Sequence, residues 1–353
     1  MSRPIQAHID LSALERNLNV VRRKTSSRIM AVVKANAYGH GLLRAASALA
    51  EADGFALLDI EDAIRLREAG FRQTILLLEG SFTAAEMPLL AEYELAAVLH
   101  SPYQIALLDA YPVRGKLSVW LKVNTGMNRL GFAPQAIPAV MAQLKAHAAV
   151  RDITLMTHFA NADGVEGVAV QLAKFNDLAA SYNLPRSLAN SAALLRYPAT
   201  HGDWVRPGIM LYGASPFAEL SAQELGLLPV MTLSSKIISI SEVSTGASIG
   251  YGGLFRADRN MRVGVVACGY ADGYPRHAIS GTPILVNGRR TQTLGRVSMD
   301  MLSVDLSALH DIEVGASVTL WGEGMAVDEV ARAASTIGYE LLCALTARVP
   351  IVT

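Results

Sequence analysis

The sequence predicts an α/β fold, a (β/α)8 barrel of the TIM type followed by a C-terminal, mainly β domain. Between residues 8 and 228, eight short apolar runs alternate with segments that have the apolar spacing of helices. After Pro229 the pattern changes to short strands separated by Gly, Asn and Asp turns. A chain of 353 residues is long enough for two domains. We therefore expect a barrel over residues 1–228 and a β-domain over residues 229–353.

The predicted barrel strands are short and almost wholly apolar, as strands buried on both faces must be. In chain order they cover residues 29–34, 54–58, 74–79, 95–100, 117–123, 153–158, 187–190 and 204–213. Segments with apolar residues at helical spacing lie between them, among them residues 42–52, 61–69, 101–111, 136–147 and 168–182.

The predicted β-domain consists of strands with turn residues between them. The strands cover residues 231–240, 262–270, 282–290, 291–300, 301–306 and 317–322. The Asn-Gly pair within NGRR, residues 287–290, is typical of a hairpin turn. One helix is expected late in this domain, at residues 328–336.

Composition excludes several classes of function. There are 31 basic and 31 acidic residues, so the net charge of zero provides no field for nucleic acid or anionic lipid. The two cysteines, Cys268 and Cys343, lie in apolar segments that indicate buried thiols, not a disulfide framework or a metal site. The N-terminal segment lacks the apolar run of a signal peptide, and no charge-free apolar stretch reaches membrane-spanning length. We expect a cytoplasmic protein.

Polar residues at the ends of the predicted strands are the candidates for function, because barrel active sites lie at that face. Lys34 ends the first strand, and its position alone fits a snorkelling surface lysine as well as a functional amine. Lys122, Asn124 and Arg129 lie at or just past the end of the fifth strand, in a segment that suits an anion but also resembles an ordinary solvated loop. His158 ends the sixth strand.

The last two predicted strands end in residues typical of a phosphate site. Asn190 or Ser191 can cap a helix, and a helix N-terminus with an adjacent hydroxyl also binds phosphate. Gly208, shortly after Arg206, allows the backbone to approach a ligand. Because His158 has no second ligand at metal spacing, we expect no metal. With Lys34 and Tyr38 added, these residues favour a phosphate-bearing carbonyl cofactor over metal-assisted hydrolysis.

Several longer motifs resemble one family throughout the chain. The segment around Lys34 reads AVVKANAYGHG and resembles the pyridoxal-phosphate attachment segment of alanine racemases. LKVNTGMNRLGF, LMTHFANAD, NSAALL, WVRPGIMLYG, GYGG, GYADGYPR, LGRVSMDM and GYELLCALTARVP resemble the same family in order and spacing. The resemblance implies a pyridoxal 5'-phosphate enzyme that interconverts L- and D-alanine. It also implies a homodimer with shared active sites.

The resemblance also implies a role for each matching residue. Lys34 would be the Schiff-base lysine and one catalytic base, and Tyr251 of the partner subunit the other. Arg206 would face the pyridine nitrogen, with His158 bonded to Arg206. Arg129 and Met299 would bind the substrate carboxylate, Met299 from the partner subunit. Lys122 matches a lysine that is carbamylated in some members, and the phosphate set would be Tyr38, Ser191, Gly208, Ile209 and Tyr339.

Two other functions are compatible with parts of the pattern. A decarboxylase of related architecture would use a cysteine of the second domain and an acidic residue where Arg206 stands. A non-enzymatic pyridoxal-phosphate carrier would lack the second domain and Tyr251. Supply of D-alanine for peptidoglycan and its catabolic breakdown remain equally compatible with the sequence, as does some activity on serine.

Overall fold

The computed structural model describes residues 3–110 and 116–353, and within them two compact units. The first, which we call the barrel unit, contains residues Asn17–Ala37 and Gly41–Leu211. The second, the sheet unit, contains the residues up to Arg16, Tyr38–His40 and Tyr212–Thr353. Strand β1 (Gln6–Ile9) opens the sheet unit, and helix Leu11–Lys24 follows it. The predicted domain boundary at residue 228 stays a prediction.

Eight parallel strands close the barrel unit, which confirms the predicted TIM-type fold. Their interiors are apolar and buried, so the hydrophobic effect places them at the centre of the unit. Each pairs in parallel with the next, and the last pairs with the first to close the circle. The strands are β2 (Arg28–Val32), β3 (Gly54–Leu57), β4 (Thr74–Leu77), β5 (Ala96–Leu99), β6 (Leu117–Lys122), β7 (Val150–Met156), β8 (Arg186–Asn190) and β9 (Trp204–Arg206).

Helices connect the barrel strands at the places predicted. Helix Ile60–Glu68 has the predicted length, shifted by one residue, whereas Leu42–Ala48, Ile137–Ala146 and Ala169–Ala179 are shorter than expected. The predicted helix end at Tyr111 lies outside the described residues. The strand expected over residues 204–213 ends at Arg206, because Pro207 has no N–H to continue the ladder. The helices are Leu42–Ala48, Ile60–Glu68, Met87–Glu92, Pro102–Ala110, Ile137–Ala146, Ala169–Ala179 and Ser191–Arg196.

The sheet unit contains one large sheet and a short two-stranded one. The large sheet has eight strands in the order β13-β16-β15-β14-β17-β10-β1-β18, and β1 pairs antiparallel with β10. This confirms the mainly β second part of the predicted fold. After β1, the strands are β10 (Met231–Val243), β11 (Ser248–Ile249), β12 (Phe255–Arg256), β13 (Met261–Val266), β14 (Pro283–Val286), β15 (Arg289–Leu294), β16 (Leu302–Asp305), β17 (Ser317–Trp321) and β18 (Ile351–Val352).

Local details of the sheet unit confirm two predictions and correct three. The Asn287-Gly288 hairpin joins β14 and β15, with positive φ at both residues. The strand predicted over residues 291–300 is wrong beyond Leu294, where a loop follows. The single late helix is wrong, since Val327–Ala333 and Gly338–Cys343 are two helices separated at Ser335, whose φ is positive. Cys268 is buried as expected, but Cys343 is exposed; neither forms a disulfide.

No helix in the described part of the chain is both long and apolar enough to cross a membrane.

Candidate active site

Five basic side chains come from the carboxyl ends of the barrel strands. Lys34 follows β2, Lys122 ends β6, His158 follows β7 and Arg206 ends β9, while Arg129 lies in the loop after β6. They are close enough for their charges to interact, since each of the other four perturbs the pKa of His158. Among the described residues none of these groups forms an ion pair with a carboxylate. The structure therefore gathers unneutralised positive charge at one end of the barrel.

Lys122 shows the effect of this clustering most clearly. Burial, followed by the charges of Arg206 and Arg129, lowers the pKa of Lys122 to about 8. Glu79 acts in the opposite direction, and its carboxylate is the acidic group that favours the charged amine. A minor fraction of Lys122, roughly a tenth at pH 7, is therefore neutral and so nucleophilic.

His158 and Arg206 respond differently to the same surroundings. Burial and the charge of Arg206 hold the pKa of His158 well below its ordinary value, so this ring is neutral at pH 7. Burial lowers the pKa of Arg206 to about 10, which still leaves the guanidinium fully protonated. The neutral imidazole can therefore accept a hydrogen bond near a permanent cation.

Arg206 is held by neutral acceptors, not by an acid. Its Nη1 donates to Ser187 Oγ at 2.6 Å, and its Nη2 donates to the carbonyls of Thr157 at 2.7 Å and Leu188 at 3.2 Å. Ser187 in turn donates to the Trp204 carbonyl at 3.1 Å. These bonds fix the orientation of the guanidinium and leave its charge available to a ligand.

Lys34 opens an unusual backbone segment. Ala35, Asn36, Ala37 and Tyr38 all have φ between 52° and 54°, which forms one turn of left-handed helix. L-residues adopt this conformation at a cost of about 1–2 kcal/mol each. The Asn36 side chain compensates in part, because its Oδ1 accepts from Leu42 N at 2.9 Å. Strain of this kind persists where the surrounding structure requires it, which occurs most often at functional sites.

Ser191 and Gly208 are joined directly. Gly208 N donates to Ser191 Oγ at 2.9 Å, so the serine proton remains available for a ligand oxygen. The neighbouring residue, Asn190, caps the helix, since its Oδ1 accepts from Ala193 N at 3.0 Å. Ile209 is buried directly after this contact. The structure thus keeps the expected cap and the expected hydroxyl as separate features.

Asn124 has a structural role in the loop after β6. Its Oδ1 accepts from the backbone N–H groups of Gly126 and Asn128, both at 3.1 Å. The strand end pairs with the far end of the loop, since Asn124 N donates to the Phe132 carbonyl at 2.9 Å. The loop is therefore closed on itself and presents Arg129 on an exposed turn.

In the sheet unit, Tyr38 and Tyr339 belong to one aromatic cluster. The ring of Tyr38 stacks on Tyr212 at a centroid distance of 4.6 Å, and Tyr339 lies 6.1 Å away. Burial raises the pKa of Tyr38, and the neighbouring Tyr339 and Cys343 raise it further. The Tyr38 hydroxyl therefore stays protonated and is a hydrogen-bond donor.

Tyr251 and Met299, also in the sheet unit, are exposed. The exposed fractions of their side chains are 69% and 53%, which is high for an aromatic and an apolar residue. Tyr251 lies between glycines of positive φ, Gly250 and Gly252. The Met299 carbonyl accepts from Ala271 N at 2.9 Å.

The hydrogen bond between Ala271 N and the Met299 carbonyl depends on a nearby glycine. A Cβ on Gly269 would lie only 2.4 Å from the carbonyl oxygens of Ser298 and Met299. Glycine therefore allows the two loops to pack closely, and the backbone of Met299 is well fixed although its side chain is exposed.

No group of three or more His, Cys, Asp or Glu in residues 3–110 and 116–353 is arranged to hold a metal ion.

Two family models match the chain in succession. The model described as "Alanine racemase, N-terminal domain" matches residues 9–216, and "Alanine racemase, C-terminal domain" matches residues 230–353. Together they span nearly the whole sequence. The chain belongs to the alanine racemase family. It is therefore an enzyme of the amino-acid racemase class, as the motifs around Lys34 predict.

Individual family members match over their full length. An alanine racemase of Nitrosospira multiformis is 61% identical over 100% of both chains. A catabolic alanine racemase of Klebsiella aerogenes is 53% identical, also over 100% of both. The crystal structure of the biosynthetic alanine racemase from Pseudomonas aeruginosa matches with a TM-score of 0.97 and 50% identity, covering 99% of each chain.

Sequence reasoning missed several polar residues behind the cationic group. Ser187, Thr157, Thr125 and Gln171 are buried and bonded to one another or to Arg206. Thr157 could have been found from the sequence, because it and His158 are the two polar residues that end a predicted apolar strand. Gln171 gave no signal, because it lies on a helix within an otherwise ordinary amphipathic pattern.

Proposed function

We propose that this protein is a pyridoxal-phosphate-dependent alanine racemase that interconverts L- and D-alanine by a two-base mechanism. The observation that carries the proposal is the unneutralised cationic group at the barrel end of a member of this family. Arg206 in particular is a buried cation whose hydrogen bonds go only to neutral acceptors, and such a charge is costly unless an anion joins it. A phosphate ester and a substrate carboxylate are anions of the required kind.

The residues present fit pyridoxal 5'-phosphate. Lys34 would hold it covalently, and Arg206 would donate to the pyridine nitrogen. The phosphate would accept hydrogen bonds from the set that the family resemblance assigns, which comprises Tyr38, Ser191, Gly208, Ile209 and Tyr339. The protonated Tyr38 hydroxyl and the serine proton of Ser191 are both suitable donors. When bound, the cofactor delocalises the negative charge that forms as the α-proton of alanine leaves.

Racemisation requires a proton acceptor on each face of the α-carbon. We assign Lys34 to one face and Tyr251 of the partner subunit to the other. Arg129 and the backbone of Met299 of the partner subunit would orient the substrate carboxylate. The exposure of Tyr251 and Met299 supports a homodimer, because an exposed aromatic and an exposed large apolar residue both favour a protein contact.

Arg206 distinguishes this proposal from a decarboxylase of related fold. Its guanidinium keeps its proton even with a pKa of about 10, so it donates a hydrogen bond but not a proton to the pyridine nitrogen. Arg206 would thus hold the cofactor without protonating it, and a cofactor held in this way would favour return of the proton to the α-carbon over side reactions. The proposal covers both directions, supply of D-alanine for peptidoglycan and its breakdown, and a cytoplasmic location.

We also propose that Lys122 carries a carbamate. The neutral amine attacks carbon dioxide, forms an N–C bond and releases one proton to water, and the lowered pKa of about 8 supplies that neutral form. The product is an anion, which would relieve the repulsion among Lys122, Arg129 and Arg206 and could orient Arg129.

A chiral assay tests the proposal. Purified protein is incubated separately with L-alanine, L-serine and L-lysine, with and without pyridoxal phosphate, and both enantiomers and carbon dioxide are measured. We expect D-alanine as the main product, dependent on the cofactor, with slower serine turnover and no carbon dioxide. Lys34→Ala should lose both activity and the visible absorbance of lysine-bound cofactor. Carbon dioxide release without D-alanine would establish the decarboxylase instead.

A further inference from the structure

A chain of buried hydrogen bonds runs through the barrel unit behind the cationic group. It starts at Gln171, on helix Ala169–Ala179, whose Nε2 donates to Thr125 Oγ1 at 3.0 Å. Thr125 Oγ1 lies 2.8 Å from Thr157 Oγ1, and Thr157 Oγ1 lies 2.9 Å from the Val123 carbonyl. Each of these side chains is at most 9% exposed, so water does not compete for the bonds.

The direction of the chain is determined by counting protons. A carbonyl only accepts, so the single hydroxyl proton of Thr157 goes to Val123. Thr157 must then accept from Thr125, whose only proton is used in that bond. Thr125 therefore accepts from the Gln171 amide. Hydrogen bonds that all point the same way polarise and strengthen one another, and removal of one link weakens the rest.

The orientation of the Gln171 side chain agrees with this direction. Its Oε1 accepts from Ala160 N at 2.8 Å, and its Nε2 also donates to the His158 carbonyl at 3.2 Å. The amide thus holds the segment after β7 on both sides of Phe159. If the Gln171 amide were turned over, its Nε2 would face the donor Ala160 N. Its Oε1 would then face the His158 carbonyl and Thr125 Oγ1, whose proton is already used.

Thr157 connects this chain to Arg206. Its carbonyl accepts from Arg206 Nη2 at 2.7 Å, and its own N–H donates to the Ser187 carbonyl at 3.1 Å. The Val123 carbonyl at the far end directly precedes the closed loop that presents Arg129. One threonine therefore links the guanidinium at the end of β9 to the loop after β6.

We propose that Thr157, together with Thr125 and Gln171, is a positioning residue that holds Arg206 and the Arg129 loop in one rigid arrangement. The inference rests on the proposed racemase function for its kinetic consequence, because Arg129 is there the carboxylate-binding residue. Loss of the chain should loosen the loop and weaken substrate binding more than it slows the chemical step.

The test compares two variants of Thr157. A packing role predicts that one raises the KM for alanine more, and a hydrogen-bonding role predicts that the other does. Thr157→Val keeps the shape but loses the hydroxyl, whereas Thr157→Ser keeps the hydroxyl but loses a methyl group. We expect Thr157→Val to raise the KM for alanine about ten-fold, the effect of one lost buried hydrogen bond, with a much smaller change in kcat. Thr157→Ser should stay near the wild type. The reverse order would overturn the proposal.

Thr154→Val is the matched control, because Thr154 is a buried threonine of β7 with no side-chain hydrogen bond among the described residues. It should leave the KM unchanged. Thr125→Val and Gln171→Leu should reproduce the effect of Thr157→Val, and combining any two should add little, since the chain is already broken. Fully additive losses would contradict a single chain.

Amide hydrogen exchange on the cofactor-free protein separates this inference from the proposed function. Exchange in residues 124–131 should rise in Thr157→Val and Thr125→Val, but not in Thr157→Ser or Thr154→Val. Unchanged exchange in all four variants would overturn the positioning role even if the wild type racemises alanine. Faster exchange with a wild type that does not racemise would instead reject the racemase function alone.

Discussion

The pKa of Lys122 depends on burial and on the charges of neighbouring residues. The residue lies among cations at the barrel end, and its pKa of about 8 is well below the ordinary lysine value of 10.5. At pH values below about 8, the amine is protonated in both the folded and the unfolded chain. The folded chain then contains a buried charge that destabilises it.

The stability of the cofactor-free protein should therefore depend on pH through Lys122. Between pH 8 and pH 10.5 the unfolded chain binds a proton that the folded chain has released, so the free energy of unfolding rises with pH. In carbon-dioxide-free buffer at pH 7, Lys122→Met should be more stable than the wild type by about 3 kcal/mol. The difference should vanish above pH 10.5.

Urea unfolding at several pH values measures this difference. Lys116→Met, at an exposed lysine just before the same strand, controls for general effects of the substitution. Added bicarbonate should stabilise the wild type near neutral pH but not Lys122→Met, because only the wild type can form the carbamate. A pH-independent difference between the two proteins would contradict the lowered pKa.

Tyr251 gives a second prediction at this scale. If it removes the proton on one face only, Tyr251→Phe should slow α-deuterium exchange of one alanine enantiomer by about 100-fold or more. Exchange of the other enantiomer, which begins at Lys34, should be affected far less. The measurement is the initial rate of deuterium uptake from D- and L-alanine in heavy water. Tyr103→Phe, at an exposed tyrosine of the barrel unit, is the control. Equal, mild losses for both enantiomers would count against two bases.

The residues that contact ligands were easier to predict than those that support them. Lys34, His158 and Arg206 stand at strand ends, where polar residues interrupt an apolar run and are visible in the sequence. Ser187 and Gln171 act through hydrogen bonds to segments far along the chain, and such pairing depends on tertiary structure. Cys343 was predicted to be buried because its neighbours are apolar, yet it faces outward from the end of a short helix.

At the scale of elements, the left-handed turn after Lys34 stands out. The sequence KANAY contains no glycine at the four positions with positive φ, so nothing in the residue types predicts this conformation. The strands and helices around it were predictable, because short continuous apolar runs and a period of 3.6 residues are properties of the sequence. A conformation imposed by the surrounding structure against local preference is not.

Ala35→Gly should therefore stabilise the protein. The backbone at Ala35 has φ 53°, where glycine has no Cβ penalty, and the exposed side chain makes no packing contribution. The relief of about 1–2 kcal/mol exceeds the extra entropy that glycine loses on folding, which leaves a net gain of up to about 1 kcal/mol. Ala142→Gly, at an exposed position of right-handed helix Ile137–Ala146, should instead destabilise by a similar amount. Urea unfolding of both variants decides, and two losses would mean that the turn is unstrained.

At the scale of the whole molecule, the proposed catalytic groups are divided between the two units. Lys34, Arg129 and Arg206 belong to the barrel unit, and Tyr251 and Met299 to the sheet unit. Composition showed only that both parts are globular and that the net charge is zero. That positive charge concentrates at one barrel end became visible only when the strand ends were brought together.

Subunit complementation tests whether Tyr251 acts in the active site of the partner subunit. A barrel with intact Lys34 needs an intact Tyr251 from the partner subunit, so Lys34→Ala and Tyr251→Ala homodimers should both be inactive. In a mixed dimer of these variants, one site loses both residues and the other keeps both.

Co-refolding equal amounts of the two variants should therefore restore about one quarter of the wild-type activity, since half of the dimers are mixed and each has one intact site. The control mixes Lys34→Ala with the double variant Lys34→Ala/Tyr251→Ala, in which no barrel retains its lysine and no activity should appear. Size-exclusion chromatography confirms that dimers have formed. If mixed dimers of the two single variants form and remain inactive, Tyr251 does not complete the partner's site, and the proposal of shared active sites is wrong.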